Sequence, residues 1–131
     1  MPQENKINLS IIIPVYNEDQ YLNILFNQIL KLFNNKTVEL IFVDDGSTDN
    51  SPNLLSTFEK NNNYNLNFKK IRLDKNSGKG KAIQVGINNS SGEYILLQDA
   101  DLELDIEDAN EMYQIIKNNN IIKCIFGSRY L

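Results

Sequence analysis

The stretch "VELIFVDDGSTDNSPNLL", residues 38–55, decides how this chain folds. It opens on a short apolar run, 38–43, which reads as a buried strand. Two acids follow, Asp44 and Asp45, and then Gly46, which permits a sharp turn because it has no Cβ. The stretch ends in a helix start, with Ser51 as N-cap and Pro52 as the first helical residue. A buried strand, a polar loop and a capped helix make one βα unit.

The same unit recurs on both sides. The runs "LSIII" 9–13, "NFKKIRL" 67–73, "EYILLQ" 93–98 and "IIKCIFG" 121–127 read as further strands. Helical periodicity lies between them. In 18–33, Leu22, Leu25, Phe26, Ile29 and Phe33 follow i, i+3, i+4 spacing. Another helix covers 79–89, and a last one 106–118, where Ile106, Ala109, Met112 or Tyr113, and Ile116 share a face behind Asp105 as N-cap. This alternation predicts an α/β protein, a three-layer α/β/α, Rossmann-like, mainly parallel sheet. The strands read as apolar on both sides, as a doubly covered sheet requires. The strand at 67–73, with Lys69, Lys70 and Arg72, is the expected edge.

A chain of 131 residues suits one domain. The net charge of -4 and the lack of any dense basic run argue against a general nucleic-acid binder. No apolar run approaches the ~20 residues that span a membrane. Met1 precedes a polar segment, not a secretory signal, and a lone cysteine, which cannot make an internal disulfide, leads us to expect a reducing, cytoplasmic setting. The single cysteine, Cys124, lies in an apolar run and reads as core. There is no histidine, so any metal must be held by oxygen.

The polar motifs all fall after strands: "PVYNE" 14–18, "DDGSTD" 44–49, "DKNSGKGKA" 74–82, "DADLE" 99–103 and "GSR" 127–129. In a parallel sheet the carboxyl ends of the strands share one rim, where open α/β folds bind ligands. Asp99, Asp101 and, if the chain stays extended, Glu103 point to one side, since alternate residues of a strand do so. Converging carboxylates fit Mg2+ or Mn2+. An acid in "DDGS" can accept from a nucleobase or ribose, and "NSGKGK" at a helix start suits phosphate through Lys79 and Lys81. It lacks the P-loop pattern, and Ile83 stands where a dinucleotide fingerprint needs its third glycine. Arg129 offers a planar fork for a diphosphate. The rim therefore reads as a site for a nucleoside diphosphate and a divalent cation.

At these residues the chain resembles family-2 glycosyltransferases of the GT-A fold. "SIIIPVYNE", "IFVDDGSTDNS", "NSGKGKAIQVG", "ILLQDADLELD" and "FGSRY" match that family's motifs in order. "QDADLE" and "GSR" look most like the branch of dolichyl-phosphate mannose synthases and related polyprenyl-phosphate glycosyltransferases. The resemblance implies a UDP- or GDP-sugar donor, Mg2+ or Mn2+, inversion at the anomeric carbon, and a lipid-phosphate acceptor at the cytoplasmic membrane face. By position, Pro14, Tyr16 and Glu18 match residues lining the nucleotide, and Asp44 or Asp45 the acid that reads the base. Lys79 to Ala82 match a helical stretch near the nucleotide. Asp99 and Ala100 match nucleotide contacts, Asp101 a metal ligand, and Glu103 a second one; Asp99 is carried as a further metal-site acid, and Arg129 matches a phosphate contact.

No residue here matches the family's catalytic base, which with the acceptor-binding half lies beyond "GSRY" in that family. The resemblance thus implies a single nucleotide-sugar-binding domain over 1–131, truncated before the acceptor half. Two other readings stand beside transfer. One is a non-catalytic nucleotide-sugar-binding module, or a half-enzyme needing a partner chain. The other is a nucleotidyltransferase, which also combines a parallel sheet, acids and Mg2+. Apolar surface near the last strand also leads us to expect homo-oligomers.

Overall fold

The computed structural model describes residues 6–103 and 105–121. In chain order the elements are β1 (Leu9–Val15), α1 (Asp19–Phe33), β2 (Val38–Asp44), α2 (Ser51–Asn61), β3 (Asn67–Arg72), α3 (Lys79–Asn88), β4 (Tyr94–Leu97) and α4 (Ile106–Lys117). The four strands form one sheet, ordered β3-β2-β1-β4, and every pairing is parallel. The expected α/β sheet is present, with β3 at an edge. The chain reverses its direction of winding between β1 and β4, so the carboxyl ends of these neighbours flank a crevice.

Alternation along β1 and β2 builds two cores. Leu9, Ile11, Ile13 and Val15 join Leu40 and Phe42 beneath α1, α2 and α4. Phe26 stacks on Phe58 at 4.4 Å between ring centroids, and Phe68 meets Phe26 edge-on. Ile12, Ile41 and Val43 point to the other face, where α3 lays Ala82 on them. Gly86 makes this close approach possible: a Cβ there would lie 2.5 Å from Ile12 Cγ2.

Two expectations need correction, and one lies outside the described residues. Among the described residues, double cover does not extend fully to β4. On β4, Ile95 and Leu97 are 44% and 47% exposed; α3, the helix described on that face, packs chiefly on β1 and β2. Ser51 is not a cap. It lies inside α2, whose N-cap position is Asn50, and its hydroxyl serves a neighbouring loop. The expected strand at 121–127 lies outside the described residues, apart from Ile121, as do Cys124 and Arg129. Asp105, by contrast, does cap α4, accepting from Glu107 N–H at 2.9 Å.

At the amino end of the sheet, far from the crevice, Glu39 is buried on β2. It accepts from Ser10 Oγ at 2.8 Å, Ser91 N–H at 2.8 Å and Ser91 Oγ at 3.0 Å, and it pairs with Lys69 at 3.0 Å. Burial pushes its carboxyl up, but these hydrogen bonds outweigh that and hold it below the usual carboxylate range.

Candidate functional site

Four strand-end loops converge on a cavity of about 300 Å3 at the β1/β4 crevice. The first wall comes from the end of β1 and the loop after it: Pro14, Val15, Tyr16 and Glu18. Tyr16 is 43% exposed, its ring turned out of the core. The floor is Asp45, just past β2, and the third loop adds Asn76, Gly78 and Lys79. Asp99, Ala100 and Asp101 close the far side. Among the described residues, the rim expected from sequence therefore assembles as one place.

The two adjacent acids of the second loop part ways. Asp45 is buried under the third loop and accepts from Ser77 N–H at 2.7 Å and Gly78 N–H at 2.9 Å. That contact needs Gly46, whose φ is +75° and whose absent Cβ would fall 2.7 Å from the Asn76 backbone nitrogen. Asp44 faces the other way, into a separate cavity of about 250 Å3 between α2 and β3. There it pairs with Arg72 at 2.6 Å and accepts from Ser47 N–H at 2.9 Å. Of these two acids, Asp45 lines the crevice and Asp44 lines the other cavity.

The loop after β4 corrects another expectation. The chain does not stay extended beyond Asp99. It turns at Ala100–Asp101, and Leu102 takes a left-handed conformation with φ 64°. Asp101 then accepts from Glu103 N–H at 3.1 Å, a local turn that competes with an extended strand. Asp99 and Asp101 both line the cavity, and Glu103 is not among the lining residues. Among the described residues, no group of three or more acids is gathered as a ready metal cage.

Charge in the cavity is mostly negative. Lys79 forms an ion pair with Asp99. Burial pushes Glu18 above its ordinary range, and the carboxylates of Asp101, Asp49 and Asp99 push it further. A cation entering here would relieve that repulsion.

Sequence reasoning passed over the residues that hold the loops to one another. Asn17 N–H donates to Ser47 Oγ at 3.0 Å, and Asn17 Oδ1 accepts from Thr48 N–H at 2.8 Å and Asp49 N–H at 3.2 Å. Glu18 N–H donates to Ser51 Oγ at 3.1 Å. Asp19 N–H donates to Asp49 Oδ2 at 3.1 Å, while Asn50 N–H donates to Asp19 Oδ2 at 3.2 Å. Neither α1 nor α2 has a side-chain bond from its own N-cap residue. Each helix start is instead served by polar groups of the other loop, which also suits the positive helix ends. Burial pushes Asp49 up, but hydrogen bonds from Ser51 and Asp19 hold it below its ordinary range. The available signal was the density of Asn, Ser and Asp in "YNED" and "GSTDNS", beyond what two turns need.

The family model described as Glycosyl transferase family 2 matches residues 10–130. Dolichyl-phosphate beta-glucosyltransferase of Dictyostelium discoideum is 36% identical over 137 residues, covering 95% of this chain and 41% of that protein. Undecaprenyl-phosphate 4-deoxy-4-formamido-L-arabinose transferase of Yersinia enterocolitica is 40% identical over 107 residues, covering 79% of this chain and 32% of that protein. The chain thus spans less than half the length of these relatives. Among solved structures, S. aureus TarS 1–349 in complex with UDP-GlcNAc superposes with a TM-score of 0.71 at 31% identity, over 85% of this chain and 31% of that one. A Pyrobaculum calidifontis mannosyltransferase in complex with GDP-Man and Mn2+ superposes with a TM-score of 0.71 over 83% of this chain and 32% of that one; at 21% identity it supports the fold alone.

Proposed function

This chain belongs to glycosyltransferase family 2, and on that premise we propose that it binds a nucleoside-diphosphate sugar with a divalent cation and serves an inverting transfer of the sugar to a polyprenyl phosphate. The observation that carries the reading is the single cavity at the β1/β4 crevice, lined from four strand-end loops. The named activities of the relatives support a polyprenyl-phosphate acceptor. The UDP-GlcNAc complex of TarS supports a nucleotide-sugar donor.

In this reading Tyr16 packs its ring on the base, beside Pro14 and Glu18. Asp45 accepts from the base through lone pairs left over from the Ser77 and Gly78 bonds. Ala100, small and 3% exposed, lets the nucleotide lie close to the β4 loop. Lys79 neutralises the diphosphate, and Asp99 binds the nucleotide once Lys79 has turned to it. Arg129, outside the described residues, keeps its proposed phosphate role from sequence.

The donor set fits Mg2+ or Mn2+. It is all oxygen, and such ions are held by one or two carboxylates plus ligand phosphate and water, not by an all-protein cage. Asp101 is the primary proposed ligand, with Asp99, which lines the same cavity, as a further acid. When bound, the ion offsets charge growing on the leaving diphosphate. The acceptor is already an anion near neutral pH, with a second phosphate pKa of about 6. Its oxygen forms the new bond to the anomeric carbon from the face opposite the diphosphate. The old carbon–oxygen bond breaks, and the nucleoside diphosphate leaves with the electron pair. No proton has to be removed first, so the absence of a matched base does not block this chemistry.

Calorimetric titration with UDP-glucose and GDP-mannose, with and without Mn2+, tests the reading. Metal-dependent binding of one donor is expected, and binding of neither would overturn it. A half-enzyme completed by further polypeptide is a second reading, favoured by the exposed apolar side chains of Ile95 and Leu97 on β4, a strand that flanks the crevice. Sugar transfer by this chain alone, abolished in Asp101→Ala, would exclude it. No described helix is long and apolar enough to cross a membrane. A peripheral seat at the cytoplasmic membrane face, where a polyprenyl phosphate lies, belongs to the same proposal.

A further inference from the structure

Asn17 stands between two residues that line the cavity, Tyr16 and Glu18, yet it does not line it itself. Its backbone lies in the left-handed region, φ 53°, which few residues other than glycine and asparagine adopt readily. Such a conformation persists only where the surroundings over-determine it. Here they do. The amide oxygen of Asn17 accepts from Thr48 and Asp49, and its own N–H is taken by Ser47 Oγ. Ser47 is in turn rooted in the sheet: its N–H donates to Asp44 Oδ1, and Arg72 of the edge strand donates to its carbonyl at 3.2 Å. Little apolar burial holds this loop otherwise, since Tyr16 and Asn17 are both exposed.

We propose that Asn17 is a positioning residue for the donor: its amide fastens the loop bearing Tyr16 and Glu18 to the loop that follows Asp45. Two walls of the cavity are thereby held as one preorganised unit. Asp44 and Arg72 act one step further back, through Ser47. This inference rests on the nucleotide-binding reading above.

The test is calorimetric titration of wild type, Asn17→Gly, Asn17→Asp and Ser47→Ala with UDP and with GDP, each with Mn2+, beside thermal melting. Asn17→Gly keeps the backbone conformation and deletes only the acceptor. It is expected to bind the preferred nucleotide about tenfold more weakly at a temperature well below its melting point. Asn17→Asp keeps an acceptor oxygen and is expected to recover binding to within about threefold of wild type. Ser47→Ala, a milder cut of the same junction, is expected to lose about threefold. Wild-type affinity in Asn17→Gly, even with a lowered melting point, would reduce Asn17 to a stabilising residue and overturn the proposal. So would an Asn17→Asp protein as weak as Asn17→Gly. If Asn17→Gly does not fold, an unchanged affinity in Ser47→Ala overturns it. Binding of neither nucleotide by wild type would instead overturn the reading of the cavity itself, and this inference with it.

Discussion

Lys79, the first residue of α3, and Asp99, two residues past the end of β4, form an ion pair across the cavity. The pair links two loops that are 20 residues apart in sequence. It also occupies a carboxylate that a cation would otherwise share. Lys79→Met should therefore move two affinities in opposite directions. Mn2+ alone should bind about two- to fivefold more tightly, as expected for freeing a partly exposed pair. UDP or GDP with Mn2+ should bind more weakly, because a phosphate partner is gone. Parallel changes in both would argue against a cation that serves the acid and the diphosphate in turn.

Asp101→Asn keeps the shape of the side chain and removes its charge. Its amide oxygen can still accept from Glu103 N–H, so the local turn should survive. The gain in nucleotide affinity on adding Mn2+ should fall by at least about tenfold, with metal-free binding little changed. Titrations of the variant with and without Mn2+ measure this, and an undiminished metal effect would remove Asp101 from the proposed ligand set.

Glu39 predicts a stability that depends on pH. Its folded-state pKa is depressed, so the stability it contributes is present above its unfolded value, 4.5, and is lost as pH falls through the folded value. At pH 7, Glu39→Gln should cost about 2 kcal/mol, since it weakens charge-assisted bonds to Ser10, Ser91 and Lys69. The gap between wild type and variant should narrow as the solution is acidified below pH 4.5. Urea unfolding of both proteins at several pH values checks the sign. A gap that widens on acidification would contradict it.

Gly86→Ala should destabilise the fold by about 1–3 kcal/mol through overpacking. The added Cβ meets Ile12 Cγ2 at 2.5 Å and Val43 Cγ2 at 3.3 Å. Adding Ile12→Ala removes the nearer methyl. The double variant should then lose less than the sum of the two single losses, as neighbours in one contact do. Chemical denaturation of the four proteins gives the cycle, and strict additivity would mean the helix shifts freely.

Much of the fold was legible in local pattern. Short apolar runs such as "VELIFV" between turn signals read as strands, and i, i+4, i+7 apolar sets such as Leu22, Phe26 and Ile29 permit a helix with one buried face. Where the pattern misled, a contact distant in sequence had taken over a local role. Ser51 looks like a cap because Ser before Pro usually is one, yet its hydroxyl is claimed by Glu18, 33 residues earlier. Asp99, Asp101 and Glu103 look like one row of acids because strands alternate, yet a turn after Asp99 breaks the row.

Among the described residues, the amino-acid sequence by itself determined which form strands and helices, and that the polar loops share the carboxyl rim of a parallel sheet. Those properties follow from periodicity and from chain connectivity, which act over short stretches. Only the tertiary structure decided that Asp45 faces the crevice while Asp44 turns to Arg72, and that Lys79 meets Asp99. It also decided that Asn17 joins two loops. Each of these depends on which donors and acceptors from separate βα units come within hydrogen-bond reach. Adjacent residues of one loop carry no record of that until the strands pair and the helices pack.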